Sequence, residues 1–318
     1  MKKVYLFIII LLFATRIHAQ KWNVENTSGT PKKVSITTDE GTWMNLDVSP
    51  DGSTIIFDLL GDIYTMPITG GKATILAGGR ASEVQPRFSP DGRFISYTSD
   101  KEGGDNIWIM NRDGENKHSI TKENFRLLNN ASWSPDGDYL VARKHFTARR
   151  SLGAGEMWLY YKTGGDGVQL TKRKNDQQDA GEPIISPDGK YVYWSEDDTP
   201  GPYFQYNKDP YAGIYVIKRL NRATGEIETV TGGAGGACRP QISPDGRLLA
   251  FVKRVRLKSV LFLHNLDTNE EWPVYDGLSH DQQETWAIFG VYPNFSWTPD
   301  NKNIVFYAKG KIWKLDIT

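Results

Sequence analysis

A four-residue turn sequence, SPDG, recurs along this chain. Its copies begin at Ser49, Ser89, Ser134, Ser186, Ser243 and Thr298, the last in the degenerate form TPDN. Proline fixes φ at the second turn position, aspartate bonds back to the local backbone, and glycine takes a conformation that a side chain forbids. Successive copies lie between 40 and 57 residues apart, and repeats of this length are typical of propeller blades or helical arrays.

The residues around each turn distinguish these two architectures. Each SPDG is followed by a run rich in β-branched and aromatic residues, such as 190–197 (KYVYWSED), and then by a second run such as 106–111 (NIWIMN). Such runs are typical of strands, and helical periodicity is nowhere sustained. Turn pairs such as Gly70-Gly71 lead into a further strand. With the residues before each SPDG as an inner strand, the sequence predicts an all-β fold, a six-bladed β-propeller of four-stranded blades.

The two ends of the chain predict how the ring closes. The sixth unit stops at Thr318 after its third strand, whereas residues 33–38 (KVSITT) match the outer-strand pattern of residues 117–121 (KHSIT). We therefore expect the N-terminal strand to pair into the last blade, which leaves no inner edge exposed. The predicted propeller spans residues 33–318.

The N-terminus has the pattern of a secretory signal peptide. Lys2 and Lys3 precede an apolar run over residues 4–14, and the small residue Ala19 follows. This run is too short to cross a bilayer. We expect a signal peptide over residues 1–19, an N-terminal extension over 20–32, and an exported protein, periplasmic or extracellular, without a membrane span after cleavage.

The charge balance and the cysteine count exclude two further classes. Lysine and arginine total 38, as do aspartate and glutamate, and no clustered basic face is evident, so nucleic acid is not an expected partner. The one cysteine, Cys238, can form no internal disulfide. Stability must therefore come from a hydrophobic core.

The inner strands predict a candidate binding site around the central tunnel. The residues four positions before each turn motif are all polar: Asn45, Gln85, Asn130, Glu182, Arg239 and Asn294. The residues one position before it are all apolar: Val48, Phe88, Trp133, Ile185, Ile242 and Trp297. This split is typical of a strand with two environments. The polar ring is either a ligand or partner site, or the wall that any hydrated tunnel requires.

The loops that enter these strands add further candidates. These are Trp43, Arg126, Asp179, Trp286 and Tyr292. Long aromatic insertions occupy residues 201–213 and 280–293. Such loops form an interaction surface or a lid, or they cover the ends of blades.

Sequence signatures of catalysis are absent. The nucleophile-elbow pattern G-x-S-x-G does not occur, since the nearest stretch, residues 277–281 (GLSHD), ends in aspartate. The mature chain has four histidines, without H-x-H or H-E-x-x-H spacing. We expect no catalytic residue, no metal site and no cofactor in this chain.

The repeat resembles the WD40-like β-propeller repeats of the TolB type. More closely, residues 21–318 are similar to the N-terminal propeller of exported bacterial amidohydrolases, in which a TolB-like propeller precedes a metal-dependent hydrolase barrel. The similarity is carried by stretches such as GTWMNLDVSPDG, GGDNIWIMN, KRKNDQQDAGEP and WAIFGVYPNFSWTPD. It implies that the metal-binding histidines would lie in a C-terminal barrel, so hydrolase activity is expected only of a longer form that carries one.

Three functions stay open at this point. The first is a non-catalytic exported propeller that serves recognition, substrate gating or scaffolding in an amidohydrolase-type protein, with the hydrolase domain following in the same chain. The second is a freestanding periplasmic module that binds a protein partner through its tunnel face. The third is an enzyme that uses the tunnel residues. A peptide or small-molecule ligand in the tunnel is a further candidate partner.

Overall fold

The computed structural model describes residues 24–26, 29–125, 127–147, 153–285 and 287–318. Its strands form six antiparallel sheets of consecutive strands. The predicted all-β, six-bladed propeller is confirmed, whereas the predicted signal peptide lies outside the described residues. Among the described residues, no helix has the length and apolar character needed to cross a membrane.

Blades 1 to 3 take up the first half of the chain. Blade 1 contains β1 (Leu46–Val48), β2 (Thr54–Leu59), β3 (Asp62–Pro67) and β4 (Thr74–Ala77). Blade 2 contains β5 (Glu83–Phe88), β6 (Phe94–Ser99), β7 (Asn106–Asn111) and β8 (His118–Ser119). Blade 3 contains β9 (Leu127–Trp133), β10 (Tyr139–Thr147), β11 (Gly153–Tyr161) and β12 (Val168–Gln169).

Blades 4 to 6 follow in the same order, from the inner strand outward. Blade 4 contains β13 (Ala180–Ile185), β14 (Tyr191–Asp197), β15 (Tyr215–Asn221) and β16 (Ile227–Thr231), with a 3-10 turn at Pro210–Ala212. Blade 5 contains β17 (Cys238–Ile242), β18 (Leu248–Val255), β19 (Lys258–Asn265) and β20 (Glu271–Tyr275). Blade 6 contains β21 (Ser296–Trp297), β22 (Asn303–Ala308) and β23 (Lys311–Asp316).

Each SPDG joins the two inner strands of a blade, as the first copy illustrates. The Asp51 carboxylate accepts hydrogen bonds from the Ser49 hydroxyl at 2.6 Å and from the Ser53 backbone N–H at 2.9 Å. Gly52 has φ +70°, a region that favours glycine. In the degenerate sixth copy Asn301 takes this position with φ +61°, and asparagine is among the few residues that tolerate it. The motif is therefore a structural turn in all six blades.

The residues directly before the turns pack between blades. Each is at most 7% exposed: Val48, Phe88, Trp133, Ile185, Ile242 and Trp297. This confirms the apolar half of the predicted alternation. The polar half consequently faces the tunnel.

The ring closes differently from the expected strand pairing. Within the described residues the sixth sheet has three strands, and residues 33–38 are exposed and form no strand. Their two large apolar side chains, Val34 and Ile36, are 68% and 64% exposed, so the segment buries little apolar surface that could offset the ordering of a strand. The prediction that residues 33–38 complete the last blade is therefore wrong.

Core packing joins the first blade to the last instead. Val305 and Tyr307 of β22 belong to one buried cluster with Leu46 of β1 and Phe57 of β2. The backbone N–H of Leu46 donates to the Asn294 carbonyl at 3.2 Å. The inner strands and the core thus close the propeller.

Candidate functional site

The six polar residues four positions before the turns come together around the tunnel axis. We call them the axial ring: Asn45, Gln85, Asn130, Glu182, Arg239 and Asn294. All six are buried, at 2–6% exposure. The structure brings this predicted set together, and its role in binding stays a prediction.

A backbone irregularity aims four of these side chains. The inner strands of blades 2 to 5 each have a register shift near the ring residue. The ring residue in each adopts a left-handed backbone, with φ +59° at Gln85, +53° at Asn130, +61° at Glu182 and +56° at Arg239. A bulge of this kind re-aims a side chain and interrupts the ladder. A left-handed non-glycine residue costs about 1–3 kcal/mol unless the surroundings compensate.

Hydrogen bonds between neighbouring blades provide that compensation. The Asn130 backbone N–H donates to Gln85 Oε1 at 2.9 Å, and the Arg239 N–H donates to Glu182 Oε2 at 2.6 Å. The Asn294 N–H donates to Asn45 Oδ1 at 2.9 Å. At Asn130 and Arg239 the bulge thus frees a backbone N–H, and a side chain of the preceding blade accepts its hydrogen bond. With the Asn294 bond to Asn45, these contacts make the ring a buried polar network.

Glu182 and Arg239 form the charged centre of the ring. Arg239 Nη2 lies 3.3 Å from Glu182 Oε1, and both side chains are 2% exposed. Glu182 Oε2 also accepts from the Ser195 hydroxyl at 2.6 Å, and Arg239 Nη1 donates to Asn130 Oδ1 at 3.0 Å. Burial lowers the pKa of Arg239, and the Glu182 carboxylate opposes that shift.

The mouth of the tunnel remote from the SPDG turns, here the upper mouth, is occupied by the chain itself. The plug segment, residues 287–292, belongs to the long insertion before blade 6. The Phe289 carbonyl accepts hydrogen bonds from Gln85 Nε2 at 2.7 Å and Asn130 Nδ2 at 3.3 Å. Arg239 Nε donates to the Tyr292 carbonyl at 2.7 Å, and Glu182 Oε1 accepts from the Val291 N–H at 2.6 Å. The axial ring therefore binds polypeptide backbone.

A buried ion pair anchors the insertion that carries the plug segment. Arg254 of β18 contacts Asp281 through Nη2 and Oδ1 at 2.6 Å, with side chains 4% and 0% exposed. The same guanidinium reaches Glu284 at 2.8 Å. The insertion lies at the upper mouth, and whether it acts as an interaction surface, a lid or a cover for a blade end stays a prediction. The other insertion exposes Tyr203 and Tyr206 to solvent.

A second layer of tunnel residues was missed by the sequence reasoning. Two positions before each motif stand Asp47, Arg87, Ser132, Ile184, Gln241 and Ser296. Arg87 Nη1 lies 3.7 Å from Asp47 Oδ1 and 3.5 Å from Gln241 Oε1, and the Ser296 hydroxyl donates to Asp47 Oδ1 at 2.7 Å. Residues two apart on a strand share a face. We call these six residues the lower layer. The same alternation that predicted the axial ring could have identified them.

The predicted loop residues lie in different environments. Trp43 is half-buried, with its ring centroid 5.9 Å from that of Tyr292, and the buried Tyr292 hydroxyl donates to the Tyr307 carbonyl at 2.8 Å. Asp179 accepts two hydrogen bonds from Arg143 Nη2, at 2.7 and 2.8 Å. Burial raises the pKa of Asp179, and Arg143 opposes that rise. Arg126 and Trp286 lie outside the described residues.

The buried carboxyl of Asp58 supports the ring from β2. It accepts hydrogen bonds from the Asn45 N–H at 2.8 Å, Asn45 Nδ2 at 2.9 Å and the Gln85 N–H at 2.8 Å. Burial raises the pKa of Asp58 to about 6, although these hydrogen bonds lower it. Since the folded value exceeds the ordinary value of 3.8, the folded protein binds a proton there that the unfolded chain does not.

We therefore expect the Asp58 contribution to the free energy of unfolding to grow as the pH falls from about 7 to about 4, and to be lost as the pH rises through about 6. Urea denaturation across that range, compared between the parent chain and Asp58→Asn, measures it. The exposed Asp113→Asn variant is the control. Parallel pH profiles for the parent and Asp58→Asn would contradict the assignment.

The described residues contain no group of three or more His, Cys, Asp or Glu side chains placed to hold a metal ion. The ring offers amide and guanidinium groups as donors, and amide oxygens and one carboxylate as acceptors. These groups suit the carbonyls and N–H groups of a peptide-like ligand.

Solved structures share the fold at low sequence identity. A structure described as putative TolB from Agrobacterium tumefaciens aligns with a TM-score of 0.63 and 21% identity, over 86% of this chain and 88% of that one. The tricorn protease aligns with a TM-score of 0.59 and 16% identity, over 87% of this chain and 25% of the protease. Identities this low show the fold alone.

Curated relatives match at somewhat higher identity over shorter stretches. The uncharacterized peptidase YuxL of Bacillus subtilis (strain 168) is 27% identical over 197 residues, which are 60% of this chain and 25% of that protein. The uncharacterized protein Atu1656 of Agrobacterium fabrum (strain C58) is 31% identical over 153 residues, 44% of this chain and 50% of that protein. The chain thus spans between a quarter and half of these two relatives.

The family model described as the TolB beta propeller domain matches residues 24–206. That stretch covers more than half of the chain and includes three of the four bulged ring residues. With its six SPDG-type turns and its propeller ring, the chain belongs to the TolB beta propeller domain family.

Proposed function

We propose that this chain is the recognition half of an exported hydrolase of the amidohydrolase type, in which the propeller gates or positions substrate and a following barrel carries out the chemistry. The observation that carries the proposal is that Glu182 and Arg239, the charged residues of the axial ring, hold the backbone of the plug segment. Side chains that bind backbone groups in this way can recognise a peptide, or they can keep a gating segment closed. Periplasmic or extracellular placement is part of the proposal.

A cavity beside the plug segment adds support for recognition at the upper mouth. It has a volume of about 270 Å³ and is lined by Trp43, Leu60, Gln85 and Phe289, among others. Leu60 is 75% exposed and Phe289 is 38% exposed. Exposed apolar groups around a polar centre are typical of binding surfaces.

The match to part of a peptidase supports the link to a hydrolase, because the chain covers a quarter of that relative. A propeller that makes up one part of a hydrolytic enzyme is suited to controlling access to it.

The experiment is immunodetection with an antibody against residues 29–318, applied to envelope fractions and to the medium of the source organism. We expect a band well above the mass of the propeller, and captured material that hydrolyses amides and loses that activity with a metal chelator. The isolated propeller is the inactive control. Detection only in the cytoplasm would contradict export, and a band at the mass of the propeller without captured hydrolase would contradict the attachment.

A freestanding interaction module is the second candidate. It is favoured by the alignment to the putative TolB structure, which covers 88% of that chain and so matches it nearly end to end. In that case the same fractions would contain a propeller-sized band that cross-links to an envelope protein. Substitutions around the upper mouth, such as Phe289→Ser, would then reduce the cross-link.

A further inference from the structure

The mouth of the tunnel on the SPDG side, here the lower mouth, forms a separate cavity of about 180 Å³. Apolar groups make up much of its wall: Pro50, Phe88, Pro90, Trp133, Ile184 and Ile185. Asp47 and Arg87 supply charge. A cavity of about 150 Å³ holds one benzene ring. The lower mouth is therefore large enough for a ligand with a single ring or a short branched chain.

The inner end of the lower mouth is closed by the lower layer and the axial ring. A separate, much smaller cavity of about 10 Å³ lies between Arg87 and the axial-ring residues Gln85, Asn130 and Arg239. That volume is at the limit for a single water molecule. A ligand entering from the SPDG side therefore meets the end of a blind pocket, with Arg87 at the narrowing.

The Arg87 guanidinium is incompletely engaged. Nη1 meets both of its partners at long range, Asp47 at 3.7 Å and Gln241 at 3.5 Å. The Arg87 side chain is 13% exposed. Burial lowers the pKa of Arg87 to about 10, with Asp47 opposing the shift. A guanidinium that is largely buried and held only by long contacts favours an anionic ligand.

Asp47 limits the charge that such a ligand can carry. Its Oδ2 accepts from the Phe88 N–H at 2.8 Å and its Oδ1 from the Ser296 hydroxyl at 2.7 Å, so these hydrogen bonds hold the carboxylate in the pocket wall. A second negative group on the ligand would approach this fixed carboxylate and be repelled. A ligand with one carboxylate on an apolar body can pair with the Arg87 guanidinium and pack against the apolar wall.

We propose that the lower mouth is a binding site for a small monocarboxylate with an apolar body, its carboxylate held by the Arg87 guanidinium and its body packed against Trp133 and Ile184. This site faces away from the plug segment. It is independent of whether the upper mouth recognises a substrate or a protein.

Benzoate is the test probe, because it fits the volume and carries one carboxylate. Titration calorimetry or saturation-transfer NMR should give a dissociation constant on the order of a millimolar, as suits a ligand of this size. Benzamide has the same shape without the charge, and phthalate carries a second carboxylate. Each should bind at least about tenfold more weakly than benzoate. Arg87→Gln should weaken benzoate binding by about tenfold or more, and Arg87→Lys by less.

Arg93→Gln is the matched control. It removes a cation on the same side of the propeller, and the Arg93 side chain is 73% exposed. This variant should leave benzoate binding unchanged. Ile184→Phe fills the pocket with Arg87 intact and should abolish binding, which keeps the test decisive even if Arg87→Gln folds poorly. No binding of benzoate to the parent chain at about 10 mM, equal binding of benzamide, or full binding by Ile184→Phe would each overturn the proposal.

Discussion

Replacement of Glu182 by alanine is expected to lower the free energy of unfolding by about 3–5 kcal/mol, the usual cost of leaving one partner of a buried ion pair without the other. Glu182 accepts from the Arg239 N–H, the Ser195 hydroxyl and the Val291 N–H, each at 2.6 Å. Its removal leaves the Arg239 guanidinium buried and unpaired. It also takes away one acceptor that holds the plug segment.

Chemical denaturation of Glu182→Ala, Arg239→Ala and the double variant measures this effect as a cycle. We expect the double variant to be less destabilised than the sum of the single ones, because it leaves no unpaired buried charge. Glu228→Ala is the matched control, since the pair of Glu228 with Arg219 has side chains 57% and 25% exposed and should contribute about 1 kcal/mol or less. A loss for Glu182→Ala no larger than that for Glu228→Ala would show that the pair does not hold the ring together.

The fold could be predicted from the sequence because its signals are local and repeated. The SPDG turn is determined by four residues, and alternation along the inner strand separates Trp133 and Trp297, which pack between blades, from the polar positions that face the tunnel. Because the turn and the strand pattern occur six times, the repeat identifies the strands more securely than a single copy would. The failed prediction, residues 33–38, rested on a single short pattern without a repeat to support it.

The candidate site could be predicted only in part. Alternation identified the axial ring, and extended by two positions it would have identified Arg87. The bulges could not be foreseen, because a left-handed backbone at Glu182 or Arg239 is favoured by nothing in the residue type and depends on acceptors from a neighbouring blade. The plug segment could not be placed either, since its position depends on hydrogen bonds to Gln85 and Asn130, far away in sequence.

Replacement of Gly290 by alanine is expected to displace the plug segment from the upper mouth. An added Cβ would lie 2.0 Å from Arg239 Nη2 and 2.9 Å from Glu182 Oε1, and φ at Gly290 is +112°. Both side chains are held by other partners, so the segment must move. Strain of this kind costs about 1–3 kcal/mol, and the loss of plug hydrogen bonds adds to it. We expect amide hydrogen exchange at Val291 and Tyr292 to accelerate by about tenfold or more.

Gly246→Ala separates the clash from the backbone strain. Gly246 has φ +77° and no atom within 4 Å of an added Cβ, so alanine there meets positive-φ backbone strain without a collision. Exchange at Val291 and Tyr292 should stay at the parent rate in this variant. If Gly290→Ala leaves that exchange unchanged, the axial ring does not hold the plug segment closed. Equal acceleration by Gly246→Ala would mean that general destabilisation opens the upper mouth, because that glycine lies in an SPDG turn remote from the plug segment.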